Sequence, residues 1–136
     1  MMRRRFAHAR VARLATVNPN GTPHLVPICF ALVGDRVVTV VDHKPKTTTN
    51  LRRLTNVRAN PAVTLLVDHW DEDWSNLWWI RVDGRAFVAE RDADVDPLLP
   101  ELHSKYRGSY SMHMFKGPTI VIDVERWRGW SASGAT

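Results

Sequence analysis

Between residues 12 and 41 the chain carries two tight-turn signals, Asn18-Pro19-Asn20-Gly21 and Gly34-Asp35, each flanked by apolar runs rich in β-branched residues. Proline presets φ, and Asn-Gly tolerates positive φ, so each signal reverses the chain within a few residues. A reversal that tight places the flanking strands antiparallel. Residues 12–17, 22–33 and 36–41 therefore read as three strands of a hairpin meander. Pro23 and Pro27 lack an N–H, which sets the second strand near an edge, a bulge or a ligand.

The rest of the chain extends the same pattern. Residues 62–68 form a continuously apolar strand, expected to be buried on both faces. Residues 77–90 form a long strand in which Trp79, Arg81, Asp83 and Arg85 alternate with Trp78, Ile80, Val82 and Gly84. Gly84 marks a bulge or bend. A last strand covers 118–125, and the segment from Trp127 to Trp130 follows it. Helices are expected over 3–13, over 46–57 and over 92–106, the last interrupted by Pro97 and Pro100. In the middle helix Leu51, Leu54 and Val57 form the apolar stripe, while Arg52, Arg53, Thr55 and Asn56 face out. Six short strands with two or three helices at the edges predict a mainly β chain with peripheral helices: one domain over 1–136, folded as a small antiparallel barrel.

Composition matters where it limits function. The net charge of +5 divides unevenly: residues 1–60 carry +9 and residues 61–136 carry −4. A basic half points to an anionic partner. Nucleic acid, a phosphorylated cofactor and a solvated helix face all fit that charge. Arg10 and Arg13 interrupt the apolar residues of the basic N-terminus, which therefore lacks the continuous apolar region of a secretory signal. No run reaches membrane-spanning length, so no membrane partner is expected. The single cysteine, Cys29, excludes an internal disulfide and suits a reducing compartment, giving a cytoplasmic expectation.

The stretch VVTVVDHKPKTTTNLRRL, residues 37–54, carries the most chemistry. A strand runs into two lysines, Lys44 and Lys46, then into hydroxyls and a helix start. Free N–H groups and the helix dipole favour an anion there, lysines add charge and threonines add donors. An ordinary strand–turn–helix connection with solvated lysines has the same residues.

Five segments then occur in an order that resembles one superfamily: VARLATVNPNGTPHLVPICFAL, DHKPKTTTNLRRL, AVTLLVDH, WWIRVDGRAFV and IVIDVERWRGWSA. Together they resemble the split β-barrel flavin and deazaflavin enzymes related to pyridoxamine 5'-phosphate oxidase. Within that superfamily they are most similar to the actinobacterial group that uses the deazaflavin coenzyme F420. The resemblance implies a six-stranded antiparallel split barrel (the FMN-binding split barrel), a homodimer, and a cofactor groove at the dimer interface. It implies phosphate binding at the turn after the third strand, by Lys46 first and Lys44 second, with Thr47, Thr49 and Asn50. Relatives often carry asparagine three residues after the lysine, where this chain has Thr49 followed by Asn50. The resemblance further implies that Val26 and Pro27 on the second strand, and Thr39, Val40 and Val41 on the third, line the ring. Core packing explains the same residues. Trp79, Arg81 and Trp130 of a second subunit would complete the site, although large aromatics equally serve dimer packing.

The implied function is an oxidoreductase that holds the reduced deazaflavin coenzyme and transfers hydride to a small conjugated substrate. FMN is the alternative cofactor. A non-catalytic carrier of flavin or haem, or a nucleic-acid binder using RRRFAHAR, is the alternative class. The arginines are not interleaved with exposed aromatics, and no helix-turn-helix or zinc spacing occurs, so nucleic acid is disfavoured. His24, Cys29, His43 and Tyr106 are the chemically able side chains. His24, just before the ring-lining segment, is the candidate substrate contact or proton donor. The cluster Asp68, His69, Asp71, Glu72 and Asp73 lacks a fixed ligand spacing and reads as a solvated acidic loop, not a metal site.

Overall fold

A computed structural model of the chain describes residues 2–41, 48–89, 96–108 and 117–134. Both turn signals reverse the chain as expected. Gly21 N–H donates to the Asn18 carbonyl at 2.8 Å, and Asn20 Oδ1 accepts from the Thr22 amide and hydroxyl. At the second turn Val33 pairs with Arg36, leaving Gly34 and Asp35 as a two-residue loop with Gly34 at φ +61°. Positive φ is what makes glycine the residue for that corner.

The strands are β1 (Ala12–Val17), β2 (Pro23–Ile28), β3 (Ala31–Val33), β4 (Arg36–Val40), β5 (Ala62–His69), β6 (Trp78–Ala89) and β7 (Thr119–Ser131). The helices are α1 (Met2–His8), α2 (Thr48–Ala59) and α3 (Leu99–Lys105). All pairings are antiparallel, in the order β2-β1-β5-β6-β7-β4-β3. Seven strands replace the expected six because the second expected strand divides at Cys29 and Phe30.

That division closes the barrel. β2 and β3 are the two edges of one sheet, yet only two residues join them. Laid flat, the sheet would hold its edges roughly 29 Å apart at about 4.8 Å per strand. The linker spans at most about 10 Å. The sheet must therefore curl until its edges meet.

Side chains lock the seam. The Thr39 hydroxyl donates to the Cys29 carbonyl at 2.7 Å. Tyr106, 2% exposed, accepts the Phe30 N–H at 3.0 Å and donates to the Arg10 carbonyl at 2.8 Å. Lys105 Nζ donates to the Phe30 carbonyl at 2.9 Å. The chemically able Tyr106 is thus a structural clasp, and burial pushes its hydroxyl up to about 12.

Two apolar clusters fill the fold. One lies inside the barrel around Leu14, Phe30, Leu65, Ile80 and Ile122, with Phe6 of α1 inserted against Phe30 and edge-on to Trp127. The other packs Leu99, Leu102 and Tyr106 against Val38 and Val121. Gly84 sits at the register shift between β6 and β7, where a Cβ would fall 2.4 Å from the Asp123 carbonyl oxygen, so the strands meet there only because a side chain is missing.

Several expectations need correction. The first helix ends at His8, not at residue 13. The last strand runs on through Trp127 and Trp130 to Ser131. β5 is not buried on both faces: Val63, Leu65 and Val67 point inward, while Leu66 remains 36% exposed on the outer face. On α2, Leu54 and Val57 are buried as expected, but so is Asn56, which was expected to face out. Its amide donates to Thr16 Oγ1 at 3.0 Å and Asn18 Oδ1 at 2.9 Å, anchoring the helix to β1. Arg53, expected to face out, is half-buried, and burial lowers its pKa. The helix packs through a broader face than the apolar stripe alone defined, because polar residues with partners also fit beneath it.

Candidate functional site

The pairing register arranges the outer face of the sheet in rows. Side chains of directly paired residues lie side by side, and alternate residues share a face. One row is Asp68, Trp79 and Trp130. The next is Pro27, Arg13, Leu66, Arg81 and Arg128. A third is Leu25, Ala15, Thr64, Asp83 and Arg126.

A groove of about 590 Å³ runs over these rows. Its floor includes Leu25 and Leu66, Trp79 and Trp130 stand along one side, and Arg13 and Arg81 supply charge. Leu25 is 65% exposed and Trp130 46% exposed, an unusual setting for large apolar side chains on a monomer. Flat aromatic walls over an apolar floor, with a few placed cations, suit a planar ring carrying polar substituents.

The charges on this face are not self-sufficient. Arg81 pairs directly across the strands with Arg128. Like charges in that position repel. Asp83 lies 3.7 Å from Arg81 Nε and accepts the Thr64 hydroxyl at 2.9 Å. Arg81 Nε is shielded from solvent and has no hydrogen-bond partner among the described residues. Asp68 is taken by Arg13 at 3.2 Å.

The structure brings together Trp79, Arg81 and Trp130, three of the residues anticipated from sequence. It divides the others. Leu25, not Val26 or Pro27, is the β2 residue in the groove. Val26 is buried in the barrel, and Pro27 is exposed opposite Arg13. Thr39 and Val41 are buried, and Val40 packs against the α3 cluster. His24 shares the inner face with Val26, opposite Thr16, so it points away from the groove. Its Nδ1 is shielded from solvent with no hydrogen-bond partner among the described residues.

Lys44, Lys46, Thr47 and His43 lie outside the described residues, as do the side chains of Thr49 and Asn50. Helix α2 begins at Thr48, directly after that turn. Leu25 and Leu66 were missed as site residues. Each sits in a largely apolar strand, Leu25 on β2 and Leu66 on β5, where it reads as core, and only the pairing register turns it outward.

The acidic loop is locally satisfied. Asp73 Oδ1 accepts the Ser75 amide at 3.0 Å and its hydroxyl at 2.6 Å, capping a 3₁₀ turn over Trp74–Asn76 and holding its own carboxyl below the usual range. No three potential ligands gather for a metal ion among the described residues. Nor, among them, is any helix long and apolar enough to cross a membrane.

Residues 2–131 match the family model described as pyridoxamine 5'-phosphate oxidase. No curated protein matches the chain. Among solved structures, a conserved hypothetical protein of Mycobacterium tuberculosis is 22% identical, with 96% of this chain and 82% of that one covered and a TM-score of 0.75. An FAD-binding protein of Mesorhizobium loti is 20% identical, covering 91% and 85%, with a TM-score of 0.70. An F420 reductase is 23% identical, covering 87% and 88%, with a TM-score of 0.62. At these identities the likeness is one of fold, a mainly β split barrel.

Proposed function

The chain belongs to the pyridoxamine 5'-phosphate oxidase family, and from that membership we propose that it is an oxidoreductase holding the deazaflavin coenzyme F420 at a homodimer interface. The observation that carries this reading is the tryptophan-walled groove on the outer sheet face. Its volume of about 590 Å³ falls within the ~300–1,000 Å³ usual for small-molecule sites. Its lining fits the group: apolar and aromatic surface for a ring, and at Arg81 a shielded donor without a protein hydrogen-bond partner among the described residues. The F420 reductase among the structural neighbours supports the deazaflavin, and the FAD-binding neighbour supports a flavin as the second reading.

Bound there, the reduced coenzyme supplies hydride chemistry to a small conjugated substrate. The residues of the chain hold and orient. Lys46, with Lys44, Thr47, Thr49 and Asn50, neutralises and donates to the phosphodiester at the start of α2. Val26, Thr39 and Val41 are buried and steady β2 and the end of β4, Val40 packs against the α3 cluster, and Pro27 stays on the outer face beside Arg13. The partner subunit's Trp79 and the partner subunit's Trp130 cover ring surface and exclude water, completing the site begun at the lysine turn. Arg81 donates to polar ring substituents or to the partner's surface, which relieves its repulsion with Arg128. A second copy covers the exposed Leu25, Leu66 and Trp130, and the site is complete only in the dimer. His24 lies opposite Thr16 and points away from the groove, so it is given no contact with the ring.

The deciding experiment is a pair of equilibrium titrations of the purified protein, one with F420 and one with FMN, read by tryptophan fluorescence. Tighter binding of F420 supports the proposal. Preferential binding of FMN moves the assignment to a flavin enzyme of the same fold, and binding of neither removes the cofactor reading.

A further inference from the structure

A second groove, of about 820 Å³, opens beside the first between α1 and the ends of β1, β5 and β6. It shares Arg13, Asp68, His69 and Trp78 with the tryptophan-walled groove, and adds Arg4, Arg5, His8 and Arg10 from the N-terminal segment. Four arginines thus face one acid, Asp68.

Partner by partner, the charge does not cancel. Asp68 is engaged by Arg13 at 3.2 Å. The Arg10 guanidinium donates to the Lys105 carbonyl at 2.6 Å and lies 4.6 Å from the Tyr106 ring centre, so it is held at the seam. Arg4 and Arg5 have no ion-pair partner among the described residues. Arg4 is exposed, while Arg5 lies over the Trp78 ring at 5.3 Å with its Nη1 shielded from solvent and unmatched by any hydrogen-bond acceptor among the described residues. The same indole stacks with His69 at 5.9 Å. Arg5 is therefore fixed by packing, with a donor group left to spend. Guanidinium groups gathered this way repel one another, and a multiply charged anion removes the repulsion while accepting the forked N–H groups.

We propose that this arginine-lined groove is a binding site for a small, multiply charged anion of the phosphate or polycarboxylate type, with Arg5 and Arg4 as its principal contacts. Four guanidinium groups around one groove suit a ligand bearing two or three anionic groups. A nucleic acid fits less well. The Trp78 ring already carries Arg5 and His69, which compete with a base for stacking on that indole. The groove adjoins the proposed cofactor groove and shares four lining residues with it, but its principal contacts, Arg4 and Arg5, line this groove alone.

The test is calorimetric titration of the cofactor-free protein with pyrophosphate, with citrate, and with a short duplex oligonucleotide, each at two salt concentrations. The proposal expects one pyrophosphate or citrate per chain, with affinity falling as salt rises, and at least tenfold weaker binding in Arg5→Gln and in Arg4→Gln. The stronger of the two anions identifies phosphate or carboxylate as the preferred chemistry. Arg4 is exposed, so Arg4→Gln decides the matter should Arg5→Gln fail to fold. Absence of binding by both small anions overturns the proposal. So does binding that both variants leave unchanged, which would locate the anion elsewhere, and so does arginine-dependent binding of the oligonucleotide alone.

Discussion

Trp79 and Trp130 stand directly opposite each other on β6 and β7, at one end of an outer sheet face that also exposes Leu25 and Leu66. The pair is a consequence of register. The bulge at Gly84 lies on the far side of Asp83, so the pairing from Trp78 to Asp83 stays regular and sets the two indoles side by side. Truncating one wall of the groove should weaken ring binding without unfolding the barrel, because neither indole belongs to the core clusters. Trp130→Ala is expected to raise the F420 dissociation constant about tenfold, a loss of about 1.4 kcal/mol, in a fluorescence titration. The thermal midpoint of the variant should stay close to the parent's.

At the lysine turn the expected effect is larger. Lys46→Ala removes a charge-assisted contact of ~1.5–3 kcal/mol, or roughly ten- to a hundred-fold in affinity. Lys44→Ala should cost less. An unchanged dissociation constant in Lys46→Ala would remove this residue from the phosphate site.

Arg81 allows stability and binding to be separated. Arg81→Leu eliminates its like-charge opposition to Arg128 together with its 3.7 Å contact to Asp83; the two effects offset, and the free chain should stay within ~1 kcal/mol of the parent's stability. The same variant should bind F420 more weakly. Denaturant unfolding and titration on one preparation check both, and a stability loss beyond that margin together with weaker binding would mean that Arg81 serves the fold.

Asn56 is the polar anchor of α2. Asn56→Leu removes its donated bonds to Thr16 and Asn18 and leaves those acceptors beneath the helix unmatched. A loss of ~1–3 kcal/mol is expected, visible as a lower denaturant midpoint with the slope unchanged.

Lys105 gives the fold a pH signature. Burial, followed by repulsion from Arg10, lowers its pKa from 10.5 to about 8. Below pH 8 both folded and unfolded chains carry the proton, and the penalty of the buried charge is fully present. Between pH 8 and 10.5 the unfolded chain keeps the proton that the folded chain has released, so stability rises with pH. The stability of the parent relative to Lys105→Gln should therefore increase across that interval, as followed by thermal unfolding in matched buffers. A flat difference would contradict the shift.

Much of this fold is legible in the sequence because local chemistry decides it. Asn18 to Gly21, Gly34 and Gly84 each specify a backbone event that little else satisfies, and the alternation in β6 announces its two faces. The division of the second strand at Cys29 and Phe30 is not legible in that way. It follows from closure of the sheet, a global demand that leaves no local turn signal. Burial of Asn56 is hidden for a related reason, since its partners Thr16 and Asn18 lie far away in the chain. In the site, Trp79, Arg81 and Trp130 are reached through the family resemblance and not through strand pattern, which left Trp130 beyond the last strand. Leu25 and Leu66 are reached through neither, because an apolar residue in an apolar run looks like core until the register shows it facing outward.

The central claim is that one cofactor sits on each chain at an interface between two. Sedimentation of the protein with F420, followed by the coenzyme's own absorbance, tests it most directly. The account predicts that the coenzyme travels with a species of twice the 15.6 kDa chain mass, at one coenzyme per chain. Coenzyme that remains free, or that travels with the monomer, would contradict it.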